Sequence, residues 1–323
     1  MEQRIKEIIK REFDAEVFNI ERITEGYSHS MFDVTIGLPL RNVIVRFANN
    51  GGETVNLAKE KYVIDLLRSR NIPAPKILAF HNEKRKGQED YMILEKLLGT
   101  RLDTIWDELP KEEKIKLTLK VGALLARIHE IELEDFGAIA EGGKIMSEPE
   151  FEFKQAGKKP PYSKFIRQKL TDSFKDLARL ISHKTFSPEF ISKYMFYLVK
   201  NIEKIEYTGR PKLVHGDYVH GHLFVEKING EYEIVGVIDF EFAFAYSPEY
   251  DFIKLHRTGF FDDPEIKKAL EEGYGKINEE AVEIFRIMRD LGFAQVLYQS
   301  GDKELSAKVF KRIEEVIDRD LSG

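Results

Sequence analysis

The 323-residue chain contains no cysteine, one tryptophan and only eight histidines. The absence of cysteine excludes disulfide bonds, thiolate catalysis and sulfur-bound zinc, and it is consistent with a reducing compartment. Any metal ion must therefore be bound through histidine, aspartate, glutamate or asparagine. No apolar run approaches the ~18 residues that a membrane span needs, and the N-terminal stretch MEQRIKEIIKREF is charged, unlike a signal peptide. These features predict a cytoplasmic protein without a membrane partner.

An excess of charge of one sign is also missing, since 50 Lys and Arg residues and 56 Asp and Glu residues give a formal charge of −6. Nucleic-acid-binding proteins usually carry a basic patch, so the composition predicts no nucleic-acid partner. The 42% of hydrophobic residues and the mixed charges are typical of a globular protein. A chain of 323 residues is longer than a single hydrophobic core usually accommodates, so we expect two lobes.

The pattern of strands and helices changes once along the chain. Up to residue 98, one helix in TVNLAKEKYVIDLLRSRN interrupts five predicted strands, EVFNIERI, SMFDVTIG, NVIVRFA, PKILAFH and DYMILEKL. After Gly99 the pattern is mainly helical, except that LVHGDYVHGHLFVEK and YEIVGVIDFEF predict two strands joined by a turn at residues 228–230. The sequence thus predicts an α+β fold with an N-terminal lobe at residues 1–98 and a C-terminal lobe at residues 99–323. Residues 138–163, which mix Gly, Pro and Lys, predict a loop.

The stretch HGDYVHGH at residues 215–222 concentrates three of the eight histidines around one aspartate. Asp217 precedes His222 by five positions, and Asp239 ends the run VGVIDF. Phosphoryl transfer needs mainly positioning and charge neutralisation, so one carboxylate near the acceptor hydroxyl and two groups for a metal ion are a sufficient set. Protein kinases arrange such groups as H-x-D-x-x-x-x-N followed by D-F-G, and here the runs are H-G-D-Y-V-H-G-H and D-F-E.

A metal-dependent hydrolase is the alternative from another reaction class. Its metal cluster would consist of His215, Asp217, His220 and His222. The order of these residues differs from the H-x-H-x-D-H arrangement, and no other segment has histidines at ligand spacing.

Several segments together resemble the aminoglycoside phosphotransferase family, which includes choline-kinase-like enzymes and shares the protein-kinase fold. The resemblance covers nearly the whole chain, through the strand order, the helix ending in ARIHEIELEDFG, the HGD loop and IDFEFAFAYSPEYDFIKL. It implies a bilobal protein-kinase-like fold with an antiparallel sheet and helices in the N-lobe and a mainly helical C-lobe with a small catalytic β-hairpin. The implied activity is transfer of a phosphoryl group from ATP or GTP to a hydroxyl of a small molecule.

The resemblance also implies roles for single residues. Asp217 accepts or orients the proton of the acceptor hydroxyl, while His222 and Asp239 bind magnesium, with manganese as the alternative. His215 braces the loop, and Asp251 holds it in place.

For the nucleotide, the resemblance implies that Glu60 pairs with Arg46 beside the phosphates, although a surface ion pair is the alternative by spacing alone. Backbone groups of Glu95 and Leu97 at the hinge would bind the purine. The EGYSHS loop would cover the phosphates with Ser28 and Ser30, and a polar β-turn has the same sequence pattern. 

His222 departs from the family, since most members have asparagine at this position. Magnesium prefers oxygen ligands, so an imidazole shifts the preference towards manganese. Macrolide kinases and some aminoglycoside kinases resemble this chain in having histidine here, which favours an aminoglycoside or macrolide acceptor. The alternatives are a kinase for a sugar, choline or homoserine, and a catalytically inactive nucleotide-binding protein. The sequence makes no prediction of the oligomeric state.

Overall fold

The computed structural model describes residues 1–23, 29–48, 57–82, 90–146, 175 and 187–322. Within these ranges the helices are α1 (Glu2–Phe13), α2 (Leu57–Ser69), α3 (Leu102–Trp106), α4 (Lys111–His129), α5 (Pro188–Asn201), α6 (Phe252–Arg257), α7 (Pro264–Tyr274), α8 (Glu279–Ser300) and α9 (Lys303–Ser322). The strands are β1 (Val17–Ile23), β2 (His29–Ile36), β3 (Arg41–Ala48), β4 (Ile77–His81), β5 (Tyr91–Glu95), β6 (Thr100–Arg101), β7 (Gly137–Ile139), β8 (Ile145–Met146), β9 (Lys212–Val214), β10 (Leu223–Ile228), β11 (Glu231–Val237) and β12 (Phe244–Tyr246).

The N-terminal sheet has the strand order β1-β2-β3-β5-β4, and all neighbouring strands are antiparallel. Successive side chains of a strand point to opposite faces. On β2 and β3, one face joins the core with α1, and the other face lines a cleft through Met31, Asp33, Ile44 and Arg46. The spacing of the buried Ile5, Ile8 and Ile9 places them on one side of α1, where they pack in the same core. Because side chains alternate between the two faces of β3, the side chain of Arg46 points into the cleft.

The C-terminal part contains two further small sheets among its helices. The hairpin of β10 and β11 turns at Asn229 and Gly230, whose φ angles of 53° and 89° are both positive, as a two-residue type I′ turn requires. Helices α4 and α7 cross where glycine is required, because a Cβ at Gly273 would collide with the carbonyl oxygen of Leu119. A second core forms where α5, α8 and α9 pack together.

The predicted α+β fold, with its antiparallel N-terminal sheet, helical C-terminal region and β-hairpin, is confirmed. The prediction of a loop from residue 138 is wrong at its start, because β7 pairs with β8 and β12. Residues 147–163 of that segment lie outside the described residues. The lobe boundary at residue 98 stays a prediction. None of the helices in the described part of the chain is both long and apolar enough to cross a membrane.

Candidate active site

A cleft of about 520 Å³ lies between the N-terminal sheet and the loop that precedes β10. The predicted hinge residues Glu95, which ends β5, and Leu97 line one wall of this cleft. His222 and Asp239 line it from the C-terminal side. The lining also includes Arg46, Glu60, Leu94, Asp103, Gly221 and Ile238. Residues that are distant in sequence, and that were predicted to bind nucleotide or metal, therefore share one cavity.

The HGD loop is held from below by Asp251. One carboxylate oxygen of Asp251 accepts a hydrogen bond from the backbone N–H of His215 at 2.8 Å, and the other accepts one from Gly216 at 2.7 Å. Gly216 has φ 80°, and a Cβ at this position would collide with the carbonyl oxygen of Phe242. Asp251 is itself 3.0 Å from Nε2 of His129. The loop conformation thus depends on a buried carboxylate and on a glycine.

The imidazole of His215 is fully buried and supports the same loop. Its Nε2 donates to the carbonyl oxygen of Ile238 at 3.0 Å, which leaves Nδ1 to accept from the N–H of Asp217 at 3.3 Å. Burial lowers the pKa of His215, so the ring is neutral in this role. His215 therefore connects the loop to the segment that carries Asp239.

Asp217 projects from this loop with its two oxygens towards different neighbours. Oδ1 lies 2.6 Å from Nζ of Lys254, and Oδ2 lies 4.0 Å from Nδ1 of His222. Burial by itself raises the pKa of Asp217, but the hydrogen bond and charge of Lys254 outweigh it, and the pKa is below its usual value. The carboxylate is therefore ionised at neutral pH and can accept a proton from a hydroxyl group.

His222 is oriented by a backbone carbonyl. Its Nδ1 lies 2.8 Å from the carbonyl oxygen of Asp217, which can only accept, so Nδ1 carries the proton. In the neutral ring, Nε2 then keeps its lone pair, and it lies 3.5 Å from Oδ2 of Asp239.

Asp239 carries an oxygen that fits a cation. Among the described residues, its Oδ1 has no hydrogen-bond partner although it is buried, and Nη2 of Arg46 lies 3.7 Å away. Asp239 also has φ 69°, a conformation that is uncommon outside glycine. Within the described ranges, no group of three His, Asp or Glu side chains is arranged so that it could hold a metal ion. Two side chains are nevertheless enough for a magnesium ion, which takes its other ligands from water and phosphate oxygens.

Arg46 is the centre of a buried cluster of charges, with only 6% of its surface exposed. It forms ion pairs with Glu60 and, at 3.1 Å, with Glu241. Burial raises the pKa of Glu60 to about 7, while the charge of Arg46 acts in the opposite direction. Lys59 donates to the backbone carbonyl of Glu241, and burial lowers the pKa of Lys59. The alternative of a surface ion pair between Arg46 and Glu60 is wrong, because both side chains are buried.

Two residues of the cluster around the loop were missed by sequence reasoning. Glu241 is the third residue of the D-F-E run, and this position is the only sequence feature that could have indicated its place near Asp239. Lys254 lies in DFIKL, and no feature of the sequence predicts that it contacts Asp217. Of the two predicted loop serines, Ser28 lies outside the described residues, while Ser30 pairs with Phe47 in the sheet and is not among the described cleft-lining residues.

The three histidines of HGDYVHGH do not converge on one point in the described structure. The ring of His220 makes edge contacts with Trp106 and Phe260, at centroid distances of 6.1 and 6.2 Å. Burial lowers the pKa of His220. The four-residue metal cluster of a hydrolase is therefore not formed by these side chains.

Residues 19–285 match the model of the phosphotransferase enzyme family, APH, and the chain belongs to this family. The protein is therefore a phosphotransferase, of the small-molecule kinase class. No curated protein matches the chain.

Solved structures of such enzymes share the fold over nearly the full chain. The GDP complex of aminoglycoside 2′-phosphotransferase IIIa is 14% identical, with a TM-score of 0.69 and coverage of 98% of this chain and 99% of that one. Spectinomycin phosphotransferase APH(9)-Ia, in complex with ADP and spectinomycin, is 15% identical, with a TM-score of 0.60 and coverage of 98% and 97%. An ethanolamine kinase of Plasmodium vivax is 15% identical, with a TM-score of 0.58 and coverage of 92% and 81%. These similarities establish the protein-kinase-like fold.

Proposed function

We propose that the protein transfers the terminal phosphoryl group of ATP or GTP to a hydroxyl group of a small molecule in the cytoplasm. The observation that carries the proposal is the position of Asp217. It is ionised, held by a buried loop, and separated by 4.0 Å from His222, which lies beside Asp239. A base next to a cation-binding pair is the arrangement that phosphoryl transfer requires.

The cleft supports a definite orientation of the nucleotide. The purine would lie at the hinge, against the backbone of Glu95 and Leu97, and the phosphates would point towards the inner end of the cleft. We call the group formed by Arg46, Glu60, His222, Asp239 and Glu241 the phosphate side. Arg46, whose guanidinium can bind two oxygens at once, would contact the phosphates there, and Glu60 would hold it in place.

Asp239 and His222 would hold a divalent cation, either magnesium or manganese. The support is that Oδ1 of Asp239 has no hydrogen bond within the described ranges and that the proton of His222 is on Nδ1, which leaves the lone pair on Nε2. When bound, such a cation neutralises negative charge on the phosphates. Asp217 would accept the proton of the acceptor hydroxyl as its oxygen bonds to the terminal phosphorus, while the bond from that phosphorus to the bridging oxygen breaks and ADP or GDP leaves.

Two classes of acceptor are supported by separate observations. An aminoglycoside or macrolide is favoured because His222 matches the histidine of macrolide kinases and some aminoglycoside kinases. Structures of similar proteins with bound kanamycin or spectinomycin favour the same class. A metabolite is favoured by Lys254, because its positive charge beside Asp217 disfavours polycationic acceptors.

The test is a nucleotide-consumption screen with ATP and GTP over a panel of hydroxylated compounds, with Asp217→Ala as the blank. We expect acceptor-dependent consumption by the wild type and a roughly 10²- to 10⁴-fold lower kcat in the variant, the usual loss for a general base. A variant as active as the wild type would rule out the kinase mechanism. Nucleotide binding without transfer to any acceptor would instead favour a catalytically inactive protein.

A further inference from the structure

Lys254 has one charged partner in the described structure, and that partner is the predicted base. It lies in α6, and its Nζ is 2.6 Å from Oδ1 of Asp217. The side chain is 31% exposed, so part of it is accessible to solvent. Lysine has three N–H donors, and the contact with Asp217 uses one of them.

The position of Lys254 relative to Asp217 identifies the side from which an acceptor approaches. Oδ2 of Asp217 faces His222 and, beyond it, Asp239 on the phosphate side. Oδ1 faces Lys254 instead. In phosphoryl transfer the attacking and leaving oxygens are roughly in line, so the acceptor enters opposite the nucleotide. We call the region formed by Oδ1 of Asp217 and by Lys254 the acceptor side.

The ammonium group of Lys254 has N–H donors beyond the one that Asp217 uses, and within the described residues no second carboxylate forms an ion pair with it. The neighbouring carboxylate of Asp251 already accepts from the backbone of His215 and Gly216 and contacts His129. A partly buried ammonium group with unused N–H donors is unfavourable, whereas an anionic group of the acceptor would complete its hydrogen bonds. A cationic acceptor would be repelled at the same place.

We propose that Lys254 binds a carboxylate or phosphate group of the acceptor, so that the substrates are anionic hydroxy compounds, either hydroxy acids or phosphorylated polyols. This inference rests on the proposed kinase function and names its acceptor class. Lys254 is then a residue that determines specificity, and polycationic antibiotics are excluded from the acceptor side.

Matched acceptors that differ only in charge test the proposal. One set is gluconate, glucitol and glucamine, another is glycerate, glycerol and 3-amino-1,2-propanediol, and glycerol 3-phosphate separates phosphate from carboxylate recognition. We expect kcat/KM to be about 10- to 100-fold higher for the anionic member than for the neutral one, the range for a hydrogen bond to a charged group. The cationic member should be the poorest acceptor.

Variants of Lys254 separate recognition from other roles. Lys254→Gln should raise KM for the anionic acceptor and remove the preference, while Lys254→Arg should retain it. The matched control is Lys267→Gln, because Lys267 is 29% exposed and has its own carboxylate partner, Glu279, at 2.6 Å. If Lys254→Gln lowers kcat equally for all three charge types, Lys254 serves only to keep Asp217 ionised and the proposal is wrong.

Equilibrium binding makes the outcome independent of turnover. Calorimetry with the full chain, ADP and Mg²⁺ should show that gluconate or glycerate binds more tightly than the neutral analogue, and that Lys254→Gln removes the difference. Binding of this kind without turnover would contradict the kinase function and support the anion site. Turnover of neutral or cationic acceptors, without tighter binding of the anions, would support the kinase function and overturn the anion site.

Discussion

On the phosphate side of the cleft the guanidinium of Arg46 meets three carboxylates, those of Glu60, Asp239 and Glu241. On the acceptor side one ammonium group meets one carboxylate. Burial makes the first group costly even with Lys59 beside it, because three carboxylates outnumber the two positive charges, which agrees with the raised pKa of Glu60. The second group pairs one positive charge with one negative charge, and it leaves N–H donors of Lys254 for an anionic group. A cation is therefore expected on the phosphate side and an anion on the acceptor side.

The largest loss of activity is expected for Asp239→Ala. Its carboxylate is the proposed ligand that brings positive charge to the phosphates, so kcat should fall at least as far as the roughly 10²- to 10⁴-fold expected for Asp217→Ala. Steady-state kinetics over a range of Mg²⁺ concentrations measures both variants. A smaller loss for Asp239→Ala than for Asp217→Ala would contradict the proposal that Asp239 holds a cation on the phosphate side.

A combined loss of stability and activity is expected for Asp251→Ala. Two buried backbone N–H groups and His129 lose their acceptor, which should lower the free energy of unfolding by roughly 3 kcal/mol or more. Chemical denaturation measures this, with Glu279→Ala as an exposed control that changes stability by less than about 0.5 kcal/mol. An unchanged stability would show that the loop below Asp217 is held by other contacts.

A change of metal preference is expected for His222→Asn. An amide oxygen suits magnesium better than an imidazole nitrogen, so the ratio of activity with Mn²⁺ to activity with Mg²⁺ should fall by about tenfold. Kinetics with each metal alone provide the ratio. The same ratio in wild type and variant would show that His222 does not bind the metal ion.

The smallest effect is expected for His220→Gln, because this ring packs against Trp106 and Phe260 and belongs to neither side. We expect kcat/KM within about threefold of the wild type, since no charge or ligand is lost. Initial rates with the best acceptor measure it. Abolished activity together with lost metal binding would revive the hydrolase alternative.

Much of the local structure could be predicted from the sequence because it depends on neighbouring residues. Alternating and β-branched runs predicted β2 and β3, while the role of Arg46 was implied only by the family resemblance. The turn of the β10–β11 hairpin was predictable because Asn229 and Gly230 tolerate positive φ. The HGD and IDF runs indicated Asp217 and Asp239 because each stands at a recognisable spacing.

The contacts of Glu241 and Lys254 could not be predicted in this way. Glu241 is 195 positions from Arg46 in the chain, and their ion pair exists because the second lobe folds against the sheet. Lys254 reaches Asp217 only because Asp251, on the preceding turn, is bound to the loop backbone. The residues that neighbour Glu241 and Lys254 in the sequence therefore do not indicate which side chains they contact.

The sequence by itself determined the order of the elements and the α+β class, and it predicted Asp217 as a base and Asp239 as a metal ligand, since periodicity, turn chemistry and motif spacing are properties of short segments. Only the tertiary structure decided which charges meet: three carboxylates around Arg46, and Lys254 on Asp217. The physical reason is that the strength of an ion pair depends on distance and burial, and both arise when distant segments pack together.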